Sequence, residues 1–230
     1  MKGLSHLARA FASLALIAAC AATAQAGTIV YSNIQPGDVF GPGVGIGFIP
    51  FTSTFNYAGV GFTAGQDYTF QSMELAASLV SGPNVLDVFL MGSLGGLPSG
   101  ILESFTLNNE LSTDPASGLV TIDSVTHPLL SAGMQYWVVA AGGPSTFASW
   151  QQNVHDVHGP NVSGPTLNSL VRDPNSNVIE ALQVDGTTTP EPASWTLMLG
   201  GLALATAYSS YKNRRSATIG STRAARLAGK

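Results

Sequence analysis

The stretch Tyr68-Thr-Phe-Gln-Ser-Met-Glu-Leu-Ala-Ala-Ser-Leu-Val80 decides the fold. Its apolar side chains recur at every second position, with polar or small side chains between them: Met73, Leu75, Ala77 and Leu79 alternate with Ser72, Glu74, Ala76 and Ser78. Successive side chains of a β-strand point to opposite faces of the sheet. This alternation therefore predicts a strand with one buried face.

Similar short apolar runs continue on both sides of this stretch, separated by residues typical of turns. The further predicted strands cover residues 28–34, 55–64, 85–90, 101–107, 119–125, 134–141, 147–150 and 178–184. Residues 36–50, which are rich in Gly and Pro, are predicted to form a loop or an irregular edge segment. About nine or ten short strands without an amphipathic helix are typical of an all-β fold, here an antiparallel β-sandwich of jelly-roll-like order.

The charges of the chain divide sharply along its length. All 13 acidic residues lie within residues 27–191, where Arg172 is the only basic residue, so this region carries a formal charge of −12. Nucleic acid and anionic lipid repel such a domain, which excludes nucleic-acid binding. The single cysteine, Cys20, precedes this region, so the sequence predicts a domain that depends on its hydrophobic core and has no intramolecular disulfide.

Residues 1–26 have the pattern of a signal peptide with a signal helix. A positively charged start is followed by an apolar segment over residues 10–22, and Ala24 and Ala26 are the small residues that a signal peptidase accepts. The sequence therefore predicts cleavage before Gly27. Residues 17–20, Ile-Ala-Ala-Cys, also fit a bacterial lipobox, which would make Cys20 a lipidated N-terminus. Both interpretations predict an exported protein.

The C-terminal part consists of three segments in a fixed order. A Thr/Pro linker, residues 186–194, contains Pro190, Glu191 and Pro192, and an apolar run follows over residues 195–211. As a helix this run would be about 25 Å long, close to the shortest transmembrane span, so we predict a transmembrane helix. The basic residues of 212–230, among them Arg214 and Arg215, predict that this end stays in the cytoplasm.

This arrangement of Pro-Glu-Pro, apolar span and Arg-Arg closely resembles the PEP-CTERM sorting signal of Gram-negative bacteria. The resemblance covers about residues 189–215; the further tail, residues 216–230, departs from it. It implies recognition by an exosortase, a membrane cysteine transpeptidase-like enzyme, and removal of the tail. An intermediate anchored in the inner membrane would then become a protein of the cell surface or extracellular matrix, accompanying exopolysaccharide. A plain C-terminal membrane anchor is the alternative.

Several short motifs in the body, residues 27–185, resemble the choice-of-anchor domains of bacterial surface proteins. They are Phe70-Gln-Ser-Met-Glu-Leu75, Gly95-Gly-Leu-Pro-Ser-Gly100, Leu102-Glu-Ser-Phe105, Gly133-Met-Gln-Tyr-Trp-Val-Val139 and Trp150. These β-rich modules occur with varied sorting signals. The resemblance implies a β-rich surface domain and no particular biochemical activity.

Two patterns were considered as metal sites. His155 and His158 could bind a metal if a third ligand came from elsewhere, but their Gly/Pro-rich surroundings favour a solvated loop. Asp173-Pro-Asn-Ser-Asn177 begins like a calcium loop, but Val178 and Val184 stand where an EF-hand requires Gly and Glu. We therefore predict no cofactor, and a looser calcium site on the sheet edge is the alternative.

The sequence favours a non-enzymatic protein. It has no Gly-x-Ser-x-Gly elbow, and no Ser, His and Asp are spaced as an ordered triad. The carboxylates that could form a glycosidase pair, Glu103 with Glu110 or Glu74 with Asp87, are predicted to be solvated on strand faces or turns. His127 precedes a proline and is predicted to be a turn residue.

Aromatic residues provide the alternative function, carbohydrate binding. Tyr136 and Trp137 are adjacent, so they should face opposite ways, one in the core and one nearer the surface. Trp137 and Trp150 are the candidates for stacking on a glycan, and packing in the core is the alternative interpretation. The main prediction is an exported surface protein without catalytic activity.

Overall fold

The structure is a computed structural model that describes residues 27–114, 118–172 and 178–188, and five separate positions further on, 201, 202, 205, 208 and 209. The chain divides into two compact units, Met1–Thr188 and Thr189–Lys230. The predicted signal helix lies outside the described residues. The five later positions are helical, but gaps separate 202 from 205 and 205 from 208, so no continuous C-terminal helix is described.

The first unit is built from β-strands, as the sequence predicted. In chain order they are β1 Thr28–Ser32, β2 Gly43–Ile49, β3 Thr54–Thr63, β4 Tyr68–Ser81, β5 Val85–Leu94, β6 Leu97–Asn108, β7 Leu119–Asp123, β8 Leu129–Leu130, β9 Gln135–Gly142, β10 Phe147–Gln151, β11 Asn161–Gly164, β12 Val171–Arg172 and β13 Leu182–Thr188. One 3-10 turn, Leu167–Ser169, lies between β11 and β12. The last strand ends later than predicted, and residues 186–188, assigned from the sequence to the linker, belong to it.

The strands form one continuous sheet in the order β1-β13-β4-β10-β2-β3-β9-β5-β6, and every pair of named strands is antiparallel. The predicted all-β antiparallel fold is therefore confirmed, although its strands are joined in a single sheet. The sheet is curled: Tyr31 of β1 stacks on Phe62 of β3, with ring centroids 5.8 Å apart, although the two strands are not neighbours in the sheet. Its two halves enclose one main core, in which side chains of β4 and β13 pack with those of β3, β5 and β9.

The predicted alternation in β4 holds over residues 72–75, whereas Ala76 and Ser78, predicted to lie on the open face, are buried. Met73 and Leu75 are fully buried in the main core, whereas Ser72 and Glu74 are half-buried on the other face. β4 also connects the two halves of the sheet: residues 68–75 pair with β13, and residues 77–81 pair with β10.

The prediction of a loop or edge segment for residues 36–50 is wrong for their second half. Residues 43–49 form β2, which lies between β10 and β3 inside the sheet. Glycine is required there because neighbouring backbone comes very close. At Gly47, where φ is +85°, an added Cβ would collide with the carbonyl oxygen of Thr146 and lie 2.7 Å from Cα of Gly142. The glycines therefore allow close packing rather than a loop.

A second, smaller core covers the outer face of β9. Trp137 and Val139 pack there with Val162 and Leu170, which belong to the segment of β11 and the 3-10 turn. Tyr136 and Trp137 do face opposite ways, but both are buried, at 7% and 0% exposure. The prediction that one of them would lie near the surface is wrong because this segment covers the second face of the strand.

Candidate processing ends and outward surface

The first and last strands of the described residues lie side by side. Thr28 of β1 pairs with Gly186 of β13, so the beginning and the end of the strand system share one edge. In the sequence, Ala26 stands two residues before Thr28, and only Thr189 separates β13 from Pro190. The predicted cleavage residues Ala24 and Ala26 and the sorting motif residues (Pro190, Glu191, Pro192, Arg214 and Arg215) lie outside the described residues.

A buried asparagine fixes the junction of these ends. Asn33 follows β1 and is 4% exposed. Its Nδ2 donates a hydrogen bond of 2.9 Å to the carbonyl oxygen of Glu180, and its Oδ1 accepts one of 2.7 Å from the amide of Leu182. Because both bonds go to the backbone just before or at the start of β13, they fix the position of the last strand beside the first.

The two tryptophans proposed for glycan contact lie in the cores. Trp137 and Trp150 are both 0% exposed. Trp150 Nε1 donates a hydrogen bond of 3.0 Å to the carbonyl oxygen of Ala181, and Trp137 Nε1 donates one of 3.3 Å to the Ser93 hydroxyl. A fully buried indole offers no face to a sugar, so the proposal of glycan stacking at these positions is corrected to packing in the core.

The two histidines considered as metal ligands, but assigned to a solvated loop, have separate acidic partners. His155 Nε2 lies 2.8 Å from Oδ1 of Asp38, and His158 Nε2 lies 3.3 Å from Oδ1 of Asp156. Burial acts to raise the pKa of Asp38, but hydrogen bonds from the Gln35 amide and His155, together with the charge of His155, lower it below its usual value. Within the described ranges, no group of three or more His, Cys, Asp or Glu residues could hold a metal. The calcium-like residues 173–177 lie outside those ranges.

Glu103 differs from its prediction as a solvated carboxylate, since it is only 6% exposed. Its Oε1 accepts hydrogen bonds from the amides of Val125 (2.6 Å) and Thr126 (2.9 Å), and its Oε2 accepts one of 2.7 Å from the Ser124 hydroxyl. Burial acts to raise the pKa of Glu103, but these hydrogen bonds outweigh it and lower the pKa below its usual value. The carboxylate thus holds the loop after β7.

That loop places His127 as the sequence predicted. His127 stands in the turn with a φ of +49°, and its Nδ1 lies 3.2 Å from the carbonyl oxygen of Phe70. Three other carboxylates were considered for a glycosidase pair: Glu110 is exposed, and Glu74 and Asp87 are half-buried. Glu74 accepts a 3.2 Å hydrogen bond from Thr121. Glu103, on β6, is thus bound to the loop after β7.

A group of four half-buried side chains and one exposed side chain, Thr106, on the outer face of the sheet was not identified from the sequence. Phe55 and Tyr57 of β3 have ring centroids 5.2 Å apart at an interplanar angle of 50°. Asp87 of β5 pairs with Ala141 of β9 and with Thr106 of β6, whose hydroxyl donates a hydrogen bond of 2.7 Å to its carboxylate. Phe89 lies two positions after Asp87 on the same face. We call Phe55, Tyr57, Asp87, Phe89 and Thr106 the outward surface.

The outward surface places a carboxylate near aromatic rings. Burial raises the pKa of Tyr57, and the negative charge of Asp87 raises it further. One signal in the sequence could have identified this surface: Asp87 is the only charged residue in the apolar run 85–90. A lone acid at an outward position of a central strand indicates a surface that is not packed against a second layer.

The described part of the chain contains no helix that is long and apolar enough to cross a membrane. No protein-family model matches the chain. A search of curated proteins also finds no match. The resemblances to a PEP-CTERM signal and to choice-of-anchor domains therefore rest on the sequence motifs alone.

Proposed function

We propose that this chain is an exported, non-enzymatic surface protein that an exosortase processes at its PEP-CTERM signal. After signal peptidase has removed residues 1–26, the apolar segment would hold the intermediate in the inner membrane. Processing near Pro190 would then deliver the domain to the cell surface or the exopolysaccharide matrix. In this proposal the domain is a jelly-roll-like sandwich whose two layers are the two halves of the curled sheet.

One observation carries the proposal. All thirteen strands of the described residues end by Thr188, before Pro190, and the first of them begins at Thr28, after Ala26. Cleavage at both predicted positions would therefore leave every described strand, and both cores, in the mature protein. A sorting signal has to be removable without unfolding its cargo, and this arrangement meets that requirement.

The proposal is tested by the mass of the mature protein, purified from a Gram-negative host with an exosortase and from the same host without it. We expect the exosortase host to yield a chain that lacks residues 1–26 and the C-terminal tail. Replacing Pro190, Glu191 and Pro192 by alanine should block C-terminal processing, whereas Glu110→Ala, at an exposed acid in the domain, should not. If the mature protein retains Lys230 in the exosortase host, the proposed processing is wrong and the C-terminal segment is a plain membrane anchor.

Carbohydrate binding is the second candidate function, and a specific observation favours it. Trp137 and Trp150 cannot serve it because they are buried, but the outward surface combines half-exposed aromatic rings with a carboxylate and a hydroxyl. This is the mixture of apolar faces and oriented polar groups that a sugar-binding site requires.

A further inference from the structure

We propose that the outward surface binds a polysaccharide that carries free amino groups, such as a deacetylated amino-sugar polymer. The inference rests on the proposed function only in assuming that the domain meets the extracellular matrix. It assigns both a site and a chemical class of ligand, and each follows from a separate observation.

The register of the sheet assembles the site. Asp87 and Thr106 are cross-strand partners, and Asp87 is also paired with Ala141. β3 pairs with β9 through Ala58 and Ala140, so the next position along β3, Tyr57, flanks Ala141 on its other side. Directly paired residues point to the same face. Tyr57 and Asp87 therefore stand on one face, separated by a single alanine.

The rings supply the stacking part of the site. Phe55 and Tyr57 alternate on β3, and both remain half-buried rather than fully covered. Tyr57 packs against the second core, which holds its ring in place. Phe55 in turn lies against Tyr57. A ring that is fixed on one side and open on the other can contact the apolar face of a sugar at little cost in conformational entropy.

The carboxylate supplies the polar part and determines the class of sugar. The Thr106 hydroxyl donates to Oδ1 of Asp87, which orients the carboxylate at the surface. The net negative charge of the whole domain also favours a cationic ligand, because residues 27–191 carry 13 acidic residues against the single Arg172. The Arg172 guanidinium also points elsewhere, to the carbonyl oxygen of Gly96 at 3.0 Å. Such a domain repels anionic polysaccharides and attracts ammonium groups.

The repeating nature of the ligand compensates for the weakness of one exposed ion pair. A single pair between Asp87 and an ammonium group would contribute little in water. A polymer presents such groups at every residue, and stacking on Phe55 and Tyr57 adds to each encounter. Binding should therefore rise with oligomer length and fall as salt concentration rises.

The test measures binding of the full chain in detergent micelles by titration calorimetry. The ligands are a glucosamine hexamer with free amino groups (the deacetylated hexamer), its N-acetylated counterpart and a glucose hexamer. We expect the deacetylated hexamer to bind at least about tenfold more tightly than the other two. Equal binding of the N-acetylated hexamer, or no binding of the deacetylated one, would overturn the assignment of a free-amine ligand.

Matched variants locate the site. Asp87→Asn should weaken binding about threefold to fivefold, Tyr57→Ala about tenfold, and Phe55→Ala less than Tyr57→Ala. Asp123→Asn removes the same charge from an exposed position of β7 and should leave the affinity unchanged. If Asp123→Asn weakens binding as much as Asp87→Asn does, the attraction is diffuse and the proposed site is wrong.

The result is separable from that of the proposed function. Thermal unfolding of each variant identifies any loss of binding that merely reflects loss of the fold. If Asp87→Asn does not fold, Asp87→Glu replaces it as the test, and we expect it to lose less affinity. Processing at Pro190 is read from the mass of the mature chain, which does not depend on glycan binding. A chain that is processed but does not bind refutes only the inference about the outward surface.

Discussion

The Ser124 hydroxyl donates a hydrogen bond of 2.7 Å to the buried carboxylate of Glu103, and so connects the loop after β7 to strand β6. β6 pairs only with β5 among the strands of the described chain. The contact joins residues from opposite halves of the curled sheet, since β7 pairs with β4. Glu103 thus stabilises the fold in a way that its neighbours in the sequence do not reveal.

Glu103→Gln should destabilise the domain. The carboxylate accepts three hydrogen bonds, and a glutamine amide would place a donor group against Ser124 or the two backbone amides. We expect a loss of about 1.5–3 kcal/mol in the free energy of unfolding, measured by urea denaturation. Glu110→Gln, which changes an exposed acid, should alter it by less than about 0.5 kcal/mol. Equal effects of the two variants would contradict the role assigned to Glu103.

The contribution of Glu103 should depend on pH. Its pKa in the folded protein is lowered from the ordinary value of 4.5, so the folded state favours the charged carboxylate. The stabilisation is therefore fully present above the pKa of the unfolded chain and is lost as the pH falls through the lower folded pKa. The difference in unfolding free energy between the wild type and Glu103→Gln should shrink as the pH falls below 4.5. A difference that stays constant with pH would refute this explanation.

Gly47→Ala should disrupt the centre of the sheet. The backbone at Gly47 has a φ of +85°, and an alanine Cβ would meet the backbone of Gly142 at 2.7 Å. We expect the strain and the collision together to cost more than about 2 kcal/mol in the free energy of unfolding. The matched control is Gly65→Ala, where no atom lies within 4 Å of the added Cβ. Similar unfolding midpoints for the two variants would show that β2 does not pack as described.

Trp150 should affect stability and leave glycan binding unchanged. Trp150→Ala removes a fully buried indole and its hydrogen bond to Ala181, and we expect it to cost about 3–5 kcal/mol. Trp150→Phe retains a ring and should cost less. At a temperature where Trp150→Phe is folded, its affinity for the deacetylated hexamer should equal that of the wild type. If Trp150→Phe bound the hexamer more weakly while remaining folded, Trp150 would be a glycan contact and this prediction would be wrong.

The sequence predicted the elements whose structure depends on local pattern. β4 was recognised because, over residues 72–75, one of its faces meets the core and the other is more open. The glycines of residues 43–47 were misinterpreted for the opposite reason. Glycine is common in loops and also in strands where backbones come close, and only the position of Gly142 and Thr146 distinguishes these cases.

The features of the candidate site that could not be predicted depend on partners distant in the sequence. Trp137 is buried because Val162 and Leu170 cover it, and nothing in the strand around Trp137 indicates that cover. Asp87 and Tyr57 share a face only through the register of two strands against β9. A period of two identifies the face of each residue within its own strand, but it does not give the register between strands.

Under the proposed export, the pairing of the first strand with the last has a consequence for the timing of folding. β1 can complete its hydrogen bonds only with β13, and β4 also requires β13 along residues 68–75. A chain that crosses a membrane from its N-terminus must therefore expose its first strands until Thr188 has passed through. Non-local pairing of this kind makes folding slow and leaves strand edges open to aggregation. Under the proposed export, the domain would therefore close only when its last strand arrives.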